Sequence, residues 1–147
     1  MKKLLILSAL FSLILIGAQT QQQIESIVKD YFEKKFVPDS FKDPYSYELK
    51  KIESDPITLG QDLQKSIKVE KAMSETKYMS KKIKKPYIEK LNELTTTYNN
   101  LSEEQKNEII EYLVTLDTYG ANSYGNKVFK RYFVIISADG SNIKKVY

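Results

Sequence analysis

Two strand-like runs around a single turn dominate the pattern of apolar and polar positions. From Val128 to Ile136, seven of nine residues are apolar or aromatic, interrupted only by Lys130 and Arg131. A run this short and this rich in Val, Ile, Phe and Tyr predicts an interior strand covered on both faces rather than a helix. Ahead of it, Tyr112, Val114 and Leu116 alternate with Thr115 and Asp117, the period of a strand with one buried and one wet face. Asn122, Gly125 and Asn126 lie between the runs, and these residue types tolerate the positive φ that a reversal needs. The two runs therefore predict a hairpin, which in water needs other elements to cover it.

The rest of the chain supplies candidates for that cover. Ile24, Ile27, Val28, Tyr31, Phe32 and Phe36 recur at the spacing of one helical face, opposite Glu25, Lys29, Asp30, Glu33 and Lys34. Gln21 to Gln23 reads as a frayed start, and Val37-Pro38 as the stop, because the residue before proline is pushed out of helical geometry. Lys42-Asp43-Pro44 forms a turn, after which Tyr45, Tyr47 and Leu49 alternate with polar residues as a strand that Asp55-Pro56 closes. From Thr58 to Asn100 the period is helical again, and Pro86 divides the segment into a helical hairpin joined near Lys85-Pro86. Ser102 to Gln105 has the form of a capping box for a short further helix. Ile143 to Tyr147 is a last strand whose Lys144 and Lys145 suit a sheet edge. The sum is an α+β domain: an N-terminal helix packed on an antiparallel sheet of about four strands, with a helical hairpin over residues 58–100 inserted between strands 1 and 2.

The first 18 residues change the picture of where this domain works. Lys2 and Lys3 precede an uncharged apolar stretch, Leu4 to Ile16, and Gly17-Ala18 supplies the small residues of a cleavage site. This is the pattern of an export signal over residues 1–18, too short to remain as a membrane span, leaving a single domain over residues 19–147 in the periplasm or outside the cell. The chain has no cysteine, so an exported domain of this kind relies on apolar packing instead of disulfides. Eleven tyrosines and no tryptophan suit a thin core near the surface, where each hydroxyl can reach water or a partner.

Histidine is also absent. Without histidine or cysteine the usual thiol nucleophiles, the usual base for a serine nucleophile and the nitrogen and sulfur ligands of transition-metal sites are all missing. The carboxylates are scattered over turns and polar faces, so the reading is of no catalytic residue, no metal site and no cofactor. Charge is more informative. The whole chain carries a net +4, but Lys65 to Lys90 holds nine lysines against Glu70, Glu75 and Glu89. Such a surface fits an anionic lipid or polyanion. Nucleic acid is not expected, because the run has no arginine for bidentate base or phosphate contacts. The candidate binding surface is therefore Tyr119, Asn122 and Tyr124 at the hairpin loop, with Lys77, Lys81, Lys82, Lys84 and Lys85 on the inserted helices.

Lys42-Asp43-Pro44-Tyr45-Ser46-Tyr47, together with Asn122-Ser123-Tyr124-Gly125-Asn126-Lys127-Val128 and Asp139-Gly140-Ser141, resembles an uncharacterised family of small exported bacterial proteins. These carry a KDPxSY turn after the first helix and a C-terminal hairpin of the NSFGGYV and DGN type. Tyr45, Ala121 and Asn126 depart from that pattern. The resemblance implies the same helix, first strand and C-terminal hairpins, and lends no activity. The expected function is that of a non-enzymatic envelope protein acting through contacts with another protein, or alternatively of an electrostatic binder of an anionic surface.

Overall fold

The computed structural model describes residues 19–147, and the export signal expected over residues 1–18 lies outside the described residues. The fold is α+β, with an antiparallel sheet in the order β1-β2-β3-β4. Helix α1 (Gln21–Tyr31) runs through a π-helical turn, Phe32–Phe36, into a last turn α2 (Val37–Ser40). Strand β1 (Glu48–Thr58) follows a short turn at Pro44–Ser46. Helices α3 (Leu59–Glu75), α4 (Lys81–Asn100) and α5 (Glu103–Lys106) stand between it and β2 (Ile109–Ala121). Strands β3 (Lys127–Ser137) and β4 (Ile143–Val146) complete a meander. These elements form two compact units, one containing the described residues up to Pro56 together with Glu111–Tyr147, the other Ile57–Ile110.

In the first unit the apolar face of α1 covers one face of the sheet. Ile24, Val28, Phe32 and Val37 are buried, as are Tyr112, Val114, Leu116, Val134 and Ile136. The even-numbered residues of β2 and β3 share that covered face, since Leu116 stands opposite Tyr132 and Val114 opposite Val134. At the C-terminal end of the helix, Phe32 lies 4.7 Å from Phe36, 5.0 Å from Tyr132, 5.8 Å from Tyr47 and 6.4 Å from Phe41, ring centre to ring centre. Most of these pairs are edge-on or tilted, the geometry that aromatic quadrupoles favour.

Three expectations about this helix and the strand after it are corrected. The helix does not stop at Val37-Pro38: the Val37 N–H donates to Phe32 O, one residue further back than in an α-helix. That wider turn admits a proline, whose ring would otherwise press on the carbonyl four residues earlier. The start is not frayed, because Thr20 Oγ1 accepts from Gln23 N while Gln23 Oε1 accepts from Thr20 N at 2.9 Å. Strand β1 begins at Glu48, not Tyr45, and runs through Pro56. An edge strand tolerates proline because one side of it owes no ladder bond.

The larger correction concerns β3. It lies inside the sheet, yet only its even-numbered face is covered; Phe129 is 48 % and Phe133 38 % exposed. A single helical layer packs on this sheet, so a strand apolar on both faces buries one of them and presents the other.

In the second unit, α3 and α4 pack against each other. Half-buried positions recur at Leu63, Ile67 and Met73 and at Tyr87, Leu91, Leu94 and Tyr98, a narrow two-helix seam. Thr58 opens α3 with a capping box to Gln61. Ser74 and Thr76 hydroxyls donate to Lys71 O and Ala72 O, tying off its last carbonyls. The helices are thus joined at residues 76–80, not at Lys85-Pro86, and Pro86 lies within α4. Being close to the start of α4, it leaves only the carbonyl of Lys82 without a helical partner, on an exposed residue that water can serve. Among the described residues of this unit only Gly60 is buried.

Truncation tests the one-sided packing. Phe32→Ala should lower the free energy of urea unfolding by about 3–5 kcal/mol, and Phe133→Ala by no more than about 1 kcal/mol. Equal losses would mean that both faces are covered.

Candidate functional site

The hairpin end of the sheet is assembled from two distant stretches of sequence. In the loop, Gly125 has φ +78° and no non-glycine residue has positive φ, so Asn122 and Asn126 do not act by that route. Asn122 braces the turn with its side chain: its Oδ1 accepts from Tyr124 N at 2.9 Å and Asn126 N at 3.0 Å. Tyr124 is left at the tip, 88 % exposed.

The Lys42–Tyr47 turn docks against this loop. Asp43 Oδ1 accepts from Tyr45 N, and Ser46 Oγ donates to Asp43 O while accepting from Ala121 N at 2.7 Å. Lys42 Nζ donates to Ser123 Oγ at 3.1 Å. Gly120 has no room for a side chain, since a Cβ there would stand 2.7 Å from the Phe41 ring. Sequence reading placed the turn and the loop in separate elements; their contact is tertiary. A shallow recess of about 230 Å³ remains between them, lined by Phe41, Lys42, Gly120, Asn122, Val128 and Lys130. The buried hydroxyl of Tyr47, whose ring meets Phe41 edge-on at 5.9 Å, has no hydrogen-bond partner among the described residues. Burial, with a smaller contribution from the nearby Glu33 charge, pushes its pKa up to about 12.

The uncovered face of the sheet starts at the same end. Across β2 and β3 its opposed pairs are Tyr119 with Phe129, Asp117 with Arg131, Thr115 with Phe133 and Leu113 with Ile135. The Tyr119 ring meets Phe129 edge-on at 5.7 Å and has Lys127 and Lys50 over it, at 4.8 and 5.5 Å. Most charges on this face are answered within the chain; Lys145, opposite Ile135, lies over the Tyr147 ring instead of an acid. Arg131 Nε and one terminal nitrogen donate to the two Asp117 oxygens at 2.6 and 2.8 Å, and Glu48 is paired with Lys127 and Lys50. The rings of Phe129 and Phe133 remain exposed on this face.

Those pairings also fix the carboxylates. Lys127 and then Lys50 hold Glu48 down to about 2, Arg131 lowers Asp117, and hydrogen bonds from Ser137 and Ser141 hold Asp139 down to about 2. Each is a weaker base than an ordinary carboxylate and no proton donor near neutral pH. No group of three or more acids able to hold a metal occurs among the described residues.

Tyr119, Asn122 and Tyr124 thus share one end of the first unit, with distinct parts in it. Lys77, Lys81, Lys82, Lys84 and Lys85 belong to the second unit, around the 76–80 turn and the start of α4. The surface that sequence reading missed is the row of Phe129 and Phe133, hidden by the expectation of a doubly covered strand. Its signal was present in the alternation of Phe129, Arg131 and Phe133, in which a charged residue shares the face of both rings. Comparison with known proteins finds no matching family model, curated relative or solved structure.

The orphan hydroxyl gives a pH test. A phenol whose pKa rises on folding keeps its proton longer in the folded chain, so stability falls as pH rises from 10, the ordinary value, towards about 12. Tyr47→Phe should flatten that fall in urea titrations across this range and add about 1 kcal/mol at neutral pH. A Phe variant less stable than the parent would show that the hydroxyl has a partner.

Proposed function

We propose that the protein is an exported, non-enzymatic component of the cell envelope that acts by binding another protein through the open face of its sheet. The observation that carries this reading is the exposure of Phe129 and Phe133 on a central strand. Burying a phenylalanine side chain is worth about 1.5–3 kcal/mol, so two exposed rings, the first of them against Tyr119, offer binding free energy that folding does not use. The neighbouring ions are already matched, as Asp117 with Arg131 and Glu48 with Lys127. A polyanion or a charged headgroup would therefore find little free charge on this face, whereas a protein presenting apolar side chains would find Phe129 and Phe133, four residues apart on β3, with Tyr119 opposite the first. Depressed carboxylate pKa values and the lack of histidine and cysteine support a binding role over a catalytic one. The signal-like pattern over residues 1–18, Lys2 and Lys3 before the apolar stretch Leu4 to Ile16, supports export.

Site-specific photocrosslinking in the native host tests this reading. A benzophenone side chain placed at Phe133 should give a discrete adduct with one envelope protein, and Phe129→Ser should reduce it. The same side chain at Tyr45, which is fully exposed but lies on the turn and not on this face, should give none. Equal adducts at both positions, or none at Phe133, would refute the assignment.

A further inference from the structure

The helical unit has a polarised charge distribution. Its 76–88 stretch carries Lys77, Lys81, Lys82, Lys84 and Lys85 and no acid. The opposite end of the hairpin, where Gln64 Nε2 donates to the Tyr98 hydroxyl at 2.6 Å, carries Asp62, Glu93, Glu103, Glu104 and Glu108 against Lys65 and Lys106. Further along the helices Lys90 pairs with Glu93 at 3.0 Å and Lys71 reaches Glu75 at 4.0 Å, while Lys65 and Lys68 stand singly and not in a cluster. At the tip, Lys77, Lys81, Lys82 and Lys84 make no ion pair among the described residues, and Lys85 reaches only an exposed Glu89 at 3.7 Å. Four of these lysines stand in the first turns of α4, where the helix dipole is already positive. In the helix only Glu89 compensates any of them, so a negative surface would relieve the rest.

Apolar side chains accompany these charges. Tyr78 is 99 %, Ile83 54 % and Ile88 45 % exposed. A soluble polyanion would gain nothing from an exposed tyrosine and isoleucines, whereas a bilayer interface takes an aromatic ring at headgroup depth and aliphatic groups just beneath it. Lysine is also the side chain best able to lay its alkyl stem along that boundary while its ammonium stays among the headgroups. We propose that the 76–88 tip of the helical hairpin docks on an anionic lipid surface, with Tyr78 and Ile83 entering the interface and the lysines from Lys77 to Lys85 holding the headgroups. This surface is separate from the sheet face proposed to bind protein and requires nothing of it.

The chain has no tryptophan, so Tyr78→Trp supplies a single reporter at a position too exposed to matter for folding. The form to test is the chain without residues 1–18, as export would leave it. With vesicles of phosphatidylcholine containing about one-third phosphatidylglycerol, the reporter's emission should move to shorter wavelength and the unaltered chain should co-sediment. Neither should happen with phosphatidylcholine alone. Salt at about 0.5 M, where screening acts within about 5 Å, should reverse the binding. The triple variant Lys81→Glu, Lys84→Glu, Lys85→Glu should bind at least about a hundredfold more weakly, each lysine at such a surface being worth about fivefold, with its far-ultraviolet circular dichroism unchanged. Sedimentation without the emission shift would overturn interfacial entry, equal binding to long-chain polyphosphate would overturn the choice of lipid, and absence of binding would overturn the proposal as a whole. Because no second protein is present, these outcomes are independent of the crosslinking result.

Discussion

The seating of Phe32 is the constraint on which the first unit depends. This ring lies at the point where helix α1, the turn before β1 and strand β3 converge, and it touches Phe36, Phe41, Tyr47 and Tyr132. Burying a ring of this size contributes more than any surface ion pair of the molecule can. It also dictates local geometry. Holding Phe32 inward while the chain passes Pro38 requires the wider π-helical turn, which leaves Val37 facing the core as well. The polar clasps then secure a position that apolar packing has set: Gln21 Nε2 donates to Ser54 O at 2.8 Å, Ser54 Oγ donates to Glu25 at 2.9 Å, and the Tyr112 hydroxyl donates to Gln19 O at 2.8 Å.

One helix can cover only one face of a sheet. From that limit follows the most distinctive surface of the protein, the row of rings on the odd-numbered positions of β2 and β3. Proteins that leave such a face open normally make it polar. This chain does so partly, by setting Asp117 against Arg131 between two apolar rungs. The pair keeps the face hydrated and costs little, while Phe129 and Phe133 stay accessible. The helical unit follows a different rule. Its two helices share a seam of half-buried side chains and bury nothing but Gly60 completely, so its surface is most of what it has, and charge is sorted along it.

Much of this architecture was legible in the sequence because it rests on periodicity. The α1 stripe, the alternation in β2, the inserted helices and the Ser102 capping box all appear as local patterns, and each is realised. The errors lie where a local rule met a tertiary condition. Pro38 and Pro86 look like helix stops, but a π-helical turn accommodates the first and closeness to a helix start the second. Val128 to Ile136 looks doubly buried because composition reports how apolar a strand is and not how many layers exist to cover it. At the candidate site, exposure of Tyr124 was foreseeable from the loop. The bond from Ala121 to Ser46 was not, since it joins residues 75 positions apart.

If the aromatic cluster and the covered sheet face hold the first unit while the helical unit has only its seam, the two differ in local stability. Native-state amide hydrogen exchange measures this directly. The amides of Val114, Leu116 and Val134 should exchange only through global unfolding, and those of Leu91 and Leu94 in α4 at least about tenfold faster through local opening. Equal protection in β2 and α4 would contradict the account, because it would mean that the helices share in a core that the buried residues do not include.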